Sequence, residues 1–269
     1  MRNIRVVFAV LSLSVVLVAG VADELQAQEK RQGWTKRLRY RRELRRELQG
    51  EIQLSGAFAL YPMAVKWAEE FRKIHPKVRI DISAGGAGKG ITDALAKVVD
   101  LGMVSRDIYP QELEKGAFPI AVVKDAVVPT INSNNPLIDQ ILATGLKQQV
   151  AQDLWIHTTA RTWGDVLGTG STIPVHVYTR SDACGAAETF AAWLGAKQED
   201  LEGTAVFGDP GVTSVVQRDK VGIGFNNIAY AYDINSKKPY RHIAVIPLDL
   251  NGNGKIDPEE DFYATSTEL

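Results

Sequence analysis

The chain of 269 residues holds one cysteine, Cys184, so no disulfide can form within it. Lysine and arginine total 31 against 32 aspartate and glutamate, a net charge of −1 that gives no electrostatic case for nucleic acid. Neither nucleotide fingerprint is there. Gly85, Gly86, Gly88 and Gly90 miss the G-x-G-x-x-G spacing, and no Lys-Ser/Thr pair closes a Walker-type loop. The histidines at 75, 157, 176 and 242 stand in unrelated contexts, with no catalytic arrangement and no metal-ligand spacing. These absences argue against an enzyme. The extended apolar run, Val6 to Val21, is short for a membrane span and soon followed by polar residues.

That run instead reads as an export signal over residues 1–27. Arg2 and Arg5 precede it, and small residues allow cleavage near Ala22 or Ala27. An uncleaved anchor is the alternative. Residues 28–49 form a basic arm or linker, crowded by Lys30, Arg31, Lys36, Arg37, Arg39, Arg41, Arg42, Arg45 and Arg46. With 45% hydrophobic residues, the remainder can build a sizeable core.

From Glu51 onward the pattern alternates. Strands are predicted at 52–54, 78–82, 101–104 (buried), 175–179, 223–226 and 243–247, with a strand-rich crossing over 121–132. Helices are predicted at 62–74 (Trp67 and Phe71 on one face), 90–98, 138–142, 163–166, 188–194 and 211–218. Such alternation predicts an α/β fold with largely parallel sheets.

The glycine-rich run Ser83 to Ile91 joins a strand to a helix start. Glycines allow close approach there, and free amides at the dipole's positive end suit an anion. A plain tight turn is the other reading of the stretch taken alone. Three more polar segments end strands or begin helices: Ser55 to Ala59, Asp100 to Arg106, and Arg180 to Ala186. Where strand ends converge in open α/β sheets, ligands bind. Arg106 and Arg180 would suit an anion with several oxygens.

Residues 50–263 resemble the phosphate-binding proteins of ABC-type phosphate importers. The resemblance rests on Ser55-Gly56 with Pro62 and Lys66-Trp67, on the Ser-x-Gly-Gly-x-Gly-x-Gly-Ile loop from Ser83, on the Asp-x-Gly-Met-x-Ser-Arg segment from Asp100, and on Arg180, Asp182 and Gly185. It implies a two-lobed type 2 periplasmic binding protein fold, each lobe a mostly parallel sheet flanked by helices. Lobe 1 would be 50–128 with 226–269, and lobe 2 would be 129–225. It also implies phosphate capture in a cleft, a periplasmic or otherwise exported monomer, and an ABC permease as partner.

Carried over by position, Arg180 would hold phosphate oxygens with Asp182 orienting it. Asp100 would accept a hydrogen bond from a protonated phosphate. Ser105 and the amides of Phe58, Ala87, Gly185 and Ala186 would donate, with Ala57, Gly86 and Arg106 also in the site. Several hydroxyls usual in that family are absent: Ala57, Phe58, Ala59, Ala87 and Ala183 to Ala186 stand in their places. Hydrogen bonds to charged groups contribute roughly 1.5–3 kcal/mol each. Losing two or three without replacement weakens binding roughly a hundredfold or more. Lys89, Thr189, Ser181 or water would compensate, or the site takes another oxyanion. Backbone donors are untouched by these changes.

A last motif spans Asp249 to Glu260. Asp249, Asn251, Asn253, Asp257 and Glu260 put oxygens at positions 1, 3, 5, 9 and 12 of an EF-hand-type loop, Gly254 at position 6, and the Lys255 carbonyl at 7. Structural Ca2+ is one reading; an Asn-Gly turn without metal is the other. The predicted flanking strand differs from an EF-hand's entering helix. The alternative function is a calcium-braced surface or scaffold protein whose cleft is vestigial.

Overall fold

The computed structural model describes residues 48–268. The expected export signal and nearly all of the basic arm, residues 1–47, lie outside them. Residues 50–269 group as one unit by contacts.

A three-stranded sheet comes first. β1 (Gln49–Gly56) lies between β2 (Lys77–Ala84) and β3 (Leu101–Met103), with β1 and β3 parallel. In β2, alternate residues Val78 and Ile80 turn inward, the strand period of two. They meet Ala68 and Phe71 of α1 (Tyr61–Ile74). Trp67, expected beside Phe71 on the buried face, is 45% exposed. At 100° per residue it falls at the edge of the Ala64–Ala68–Phe71 stripe. β3, expected as a buried strand, buries only Met103 and leaves Leu101 53% exposed. It is an edge strand, covered on one side only.

The second sheet has five strands in the order β6 (Thr204–Val206), β5 (His176–Arg180), β7 (Gly222–Asn227), β4 (Val127–Asn132), β8 (Ile243–Val245). β5 is parallel to β6 and β7. β4 runs antiparallel to both β7 and β8. The fold is therefore mixed α/β and rich in parallel pairs. β8 falls within 226–269, which the expected division gives to the first lobe; its ladder to β4 puts it on this second sheet.

The largest core lies on the second sheet. Phe190 stacks on Phe225 at 4.4 Å, and Trp155 meets Phe190 edge-on at 4.9 Å. The indole N–H groups of Trp155 and Trp163 donate to the carbonyls of Tyr178 and Val221, so neither ring buries an unpaired donor. Glycines in β7 admit a close helix: a Cβ on Gly224 would lie 2.8 Å from Val212 in the helix Gly208–Arg218.

The remaining helices are α2 (Ala87–Leu95), α3 (Pro110–Glu114), α4 (Ile138–Thr144), α5 (Gln148–Trp155), α6 (Trp163–Leu167), α7 (Gly185–Trp193), α8 (Gly208–Arg218) and α9 (Ile228–Ala231). Periodicity missed α3, α5, α9 and β6. It also started α2, α7 and α8 three residues late, at Gly90, Glu188 and Gly211. The true first turns are small or polar and carry no apolar period. The shift brings Ala87, Gly185, Ala186 and Asp209 into helix first turns, where the site lies.

Candidate anion site

Arg180 ends β5 with its side chain fully buried. Its guanidinium is held from two sides. Nε and Nη2 donate to the two oxygens of Asp182 at 2.9 and 2.7 Å, and Nη1 donates to Asp209 at 2.7 Å. The bidentate fork fixes its plane. Burial alone would lower its pKa; the Asp182 bonds and the Asp209 charge outweigh burial and hold it above the ordinary value. An arginine has five N–H hydrogens, and these bonds use three of them.

Asp182 and Asp209 are themselves 6% and 2% exposed at the side chain. Asp182 also accepts the Gly208 amide at 3.0 Å. Asp209 accepts the Asn227 amide at 3.0 Å, and its carbonyl accepts Asn226 Nδ2 at 2.9 Å. Gln198 clamps the loop beyond Arg180: Nε2 donates to the Asp182 carbonyl at 2.7 Å, and Oε1 accepts the Cys184 amide at 3.1 Å. Sequence reading missed Asp209, Gln198 and Asn227. The one available signal was Gly208-Asp209-Pro210, a polar helix start like the segments it did select.

Two helix N-termini meet here, one from each half of the described chain. The Gly88 amide in α2 donates to the Ala183 carbonyl just before α7, at 3.2 Å. Gly86, the N-cap of α2, has φ +88, which favours glycine. A Cβ on it would lie 2.7 Å from the Ala183 carbonyl oxygen. At Gly185, the first residue of α7, a Cβ would lie 1.8 Å from the Ser105 carbonyl oxygen and 2.4 Å from its hydroxyl. No side chain fits there. Early helix amides have no partner inside their own helix, so those of Ala87, Gly185 and Ala186 have no acceptor within α2 or α7. Phe58 opens a 3-10 turn, its ring edge-on to Phe207 at 5.7 Å and 5.8 Å from the Arg180 guanidinium carbon.

The structure gathers Phe58, Gly86, Ala87, Ser105, Arg180, Asp182, Gly185 and Ala186. It does not gather all of the expected set. Asp100 is a correction. It lies at the start of β3, while Ser105 follows the strand's other end. It is exposed, and its carboxylate accepts the Gln53 amide at 2.8 Å. Arg106 is a second correction. Its guanidinium is bidentate to Glu112 at 2.7 and 2.9 Å, lies 3.5 Å from Glu188, and stacks over Tyr109 at 4.0 Å. It bridges α3 to α7 instead of facing a ligand. The amides of Ala57 and Gly86 are spent on the Met103 and Gly56 carbonyls. Lys89, a candidate replacement donor, is paired with Asp93, which also accepts the Ser55 hydroxyl. Burial pushes the Cys184 thiol up to about 12, so it is no nucleophile.

In the 249–260 loop the donor atoms are hard oxygens, as calcium requires. Asp249 is buried and accepts the amides of Gly252, Asn253 and Gly254; Glu260 accepts those of Leu250, Asn251 and Asp257. Asn251 Nδ2, Asn253 Nδ2 and Lys255 Nζ converge on Asp257. The Lys255 bond first, then the two amides, hold that carboxyl down to about 2. Among the described residues no three acidic, histidine or cysteine side chains are grouped as a metal site.

This two-sheet architecture buries Arg180 close to the starts of α2, α7 and α8. The chain belongs to the PBP superfamily, whose domain model matches residues 42–266. Among curated proteins it is similar to Protein SphX of Synechococcus elongatus, 28% identical over 76% of this chain and 60% of that one. It is also similar to the phosphate-binding protein PstS of Xylella fastidiosa, 28% identical over 67% of this chain and 54% of that one. Among solved structures it resembles a phosphate ABC transporter substrate-binding protein from Clostridium perfringens, described with bound phosphate. There the identity is 25%, the TM-score 0.63, and the coverage 76% of each chain. The chain spans between about half and three fifths of the length of these curated relatives. Among the described residues no helix is long and apolar enough to cross a membrane.

Proposed function

We propose that this chain is an exported solute-binding protein that captures phosphate between its two halves and presents it to an ABC permease. The observation that carries the reading is Arg180, buried and fixed by two carboxylates beside the amide-bearing starts of α2 and α7. Backbone amides and one guanidinium make an oxyanion cradle without the hydroxyls that this sequence lacks. The chemistry we propose for the cradle is reversible binding of an oxyanion. The protein works as a monomer, and lobes closing on the ligand form the surface that the permease reads. Titration calorimetry with phosphate, sulfate and molybdate tests the reading; no heat from phosphate at millimolar concentration removes it.

We propose as well that the 249–260 loop takes Ca2+ as a structural brace, through Asp249, Asn251, Asn253, the Lys255 carbonyl, Asp257 and Glu260. What supports it is the donor set and the convergence of three N–H donor groups on Asp257, where Lys255 supplies the positive charge.

A further inference from the structure

The charges around Arg180 do not balance. One guanidinium faces two carboxylates, Asp182 and Asp209, which leaves the buried cluster at −1. Three helix N-termini of about +0.5 each, those of α2, α7 and α8, slightly outweigh that. The cradle is then weakly positive before any ligand enters. A singly charged anion nearly balances it, while a doubly charged one leaves more than one uncompensated charge in a buried place, and buried unpaired charge is costly. Asp182 is the ordinary orienting partner, bonded by both oxygens. Asp209 is the extra one, held rigidly by the Asn227 amide.

We propose that Asp209 restricts this site to singly charged oxyanions, so that phosphate is taken as dihydrogen phosphate and sulfate is refused. The inference rests on the oxyanion reading above. Groups facing Asp209 come from every element around it: Arg180 and Asp182 at the end of β5, Cys184 at the start of α7, Asn226 and Asn227 on β7, Tyr230 on α9, and Asp125 ahead of β4. Asp125 is the one that titrates near neutrality. Its carboxylate is turned against Asn227, and loss of water contact pushes it to about 6. Its charge adds to the excess above that pH.

The test is calorimetry on the wild-type chain at about pH 5.5 and about pH 8, where phosphate passes from mostly singly to mostly doubly charged. Sulfate is doubly charged and perrhenate singly charged at both. Phosphate should bind roughly 5- to 10-fold more weakly at the higher pH, following the fraction that is singly charged. Perrhenate should change less than ~3-fold, and sulfate should give no heat. Asp209→Asn, checked for folding by circular dichroism, should gain sulfate binding and lose most of the phosphate pH dependence. Equal phosphate affinity at both pH values overturns the inference while leaving the oxyanion reading intact. So does perrhenate falling in parallel with phosphate, since the protein's own titration would then be the cause. No heat from any of the three anions removes both.

Discussion

Removing Arg180 should unfold this protein more than any loss of contact area would suggest. In Arg180→Met the side-chain volume is roughly kept, while Asp182 and Asp209 stay buried, at 6% and 2% exposure, without their cation. Breaking a buried pair from one side costs about 3–5 kcal/mol. At roughly 2–4 °C per kcal/mol for a domain of this size, Tm should fall by about 6–20 °C. The sign of the pH effect follows from the same charges. Unpaired and buried, the carboxylates would hold protons to higher pH when folded than when unfolded, so the variant's stability should fall as pH rises through their folded pKa. Acidifying from neutrality should therefore rescue Arg180→Met. Adding Asp182→Asn and Asp209→Asn to it should restore much of the loss at neutral pH, since the apolar or neutral replacement of a buried ion cluster is often near neutral in stability. Thermal denaturation followed by circular dichroism, at several pH values, reads all of this. A loss below about 1 kcal/mol, unchanged by pH, would refute the buried-charge reasoning.

Other expectations are simpler. Gly185→Ala puts a methyl 1.8 Å from the Ser105 carbonyl oxygen, so the two halves must separate there; phosphate affinity by calorimetry should drop more than ~10-fold. Asp100→Asn should leave phosphate affinity within about twofold, because that carboxylate is exposed and bonded to Gln53. Asp125, with a folded pKa raised to about 6 by desolvation, favours the fold below the unfolded value and loses that contribution as pH rises through 6. Asp125→Asn should therefore raise Tm at neutral pH and leave it unchanged near pH 4. For the 249–260 loop, calcium at ~100 times its Kd should add about 2.7 kcal/mol, read as a Tm rise reversed by chelator. A Tm indifferent to both would leave a metal-free turn.

The strongest parts of the fold were legible because they repeat. β2 alternates Val78, Ile80 and Ile82, and α1 spaces Ala64, Ala68 and Phe71 for a helix face. The helix starts that form the site were not legible. Gly86, Gly185 and Gly208 are chosen for what passes within contact distance, and close approach leaves no periodic trace. Arg180 with Asp182 could be seen two residues apart. Asp209 lies 29 residues further on, and only the packing of α8 beside β5 brings it to the same guanidinium. Asp100 and Arg106 were misplaced for a related reason. A motif gives order along the chain, but a strand has two ends, and nearby carboxylates compete for any arginine.

The sequence by itself determined the class: alternating strands and helices, one cysteine, balanced charge, and glycine-rich strand ends that leave amides free. Those properties are local, set by backbone sterics and periodicity. Only the tertiary structure decided which charges share the buried site, because electrostatic partners are chosen by distance in space, and burial multiplies their effect. The net charge around Arg180 belongs to that second level.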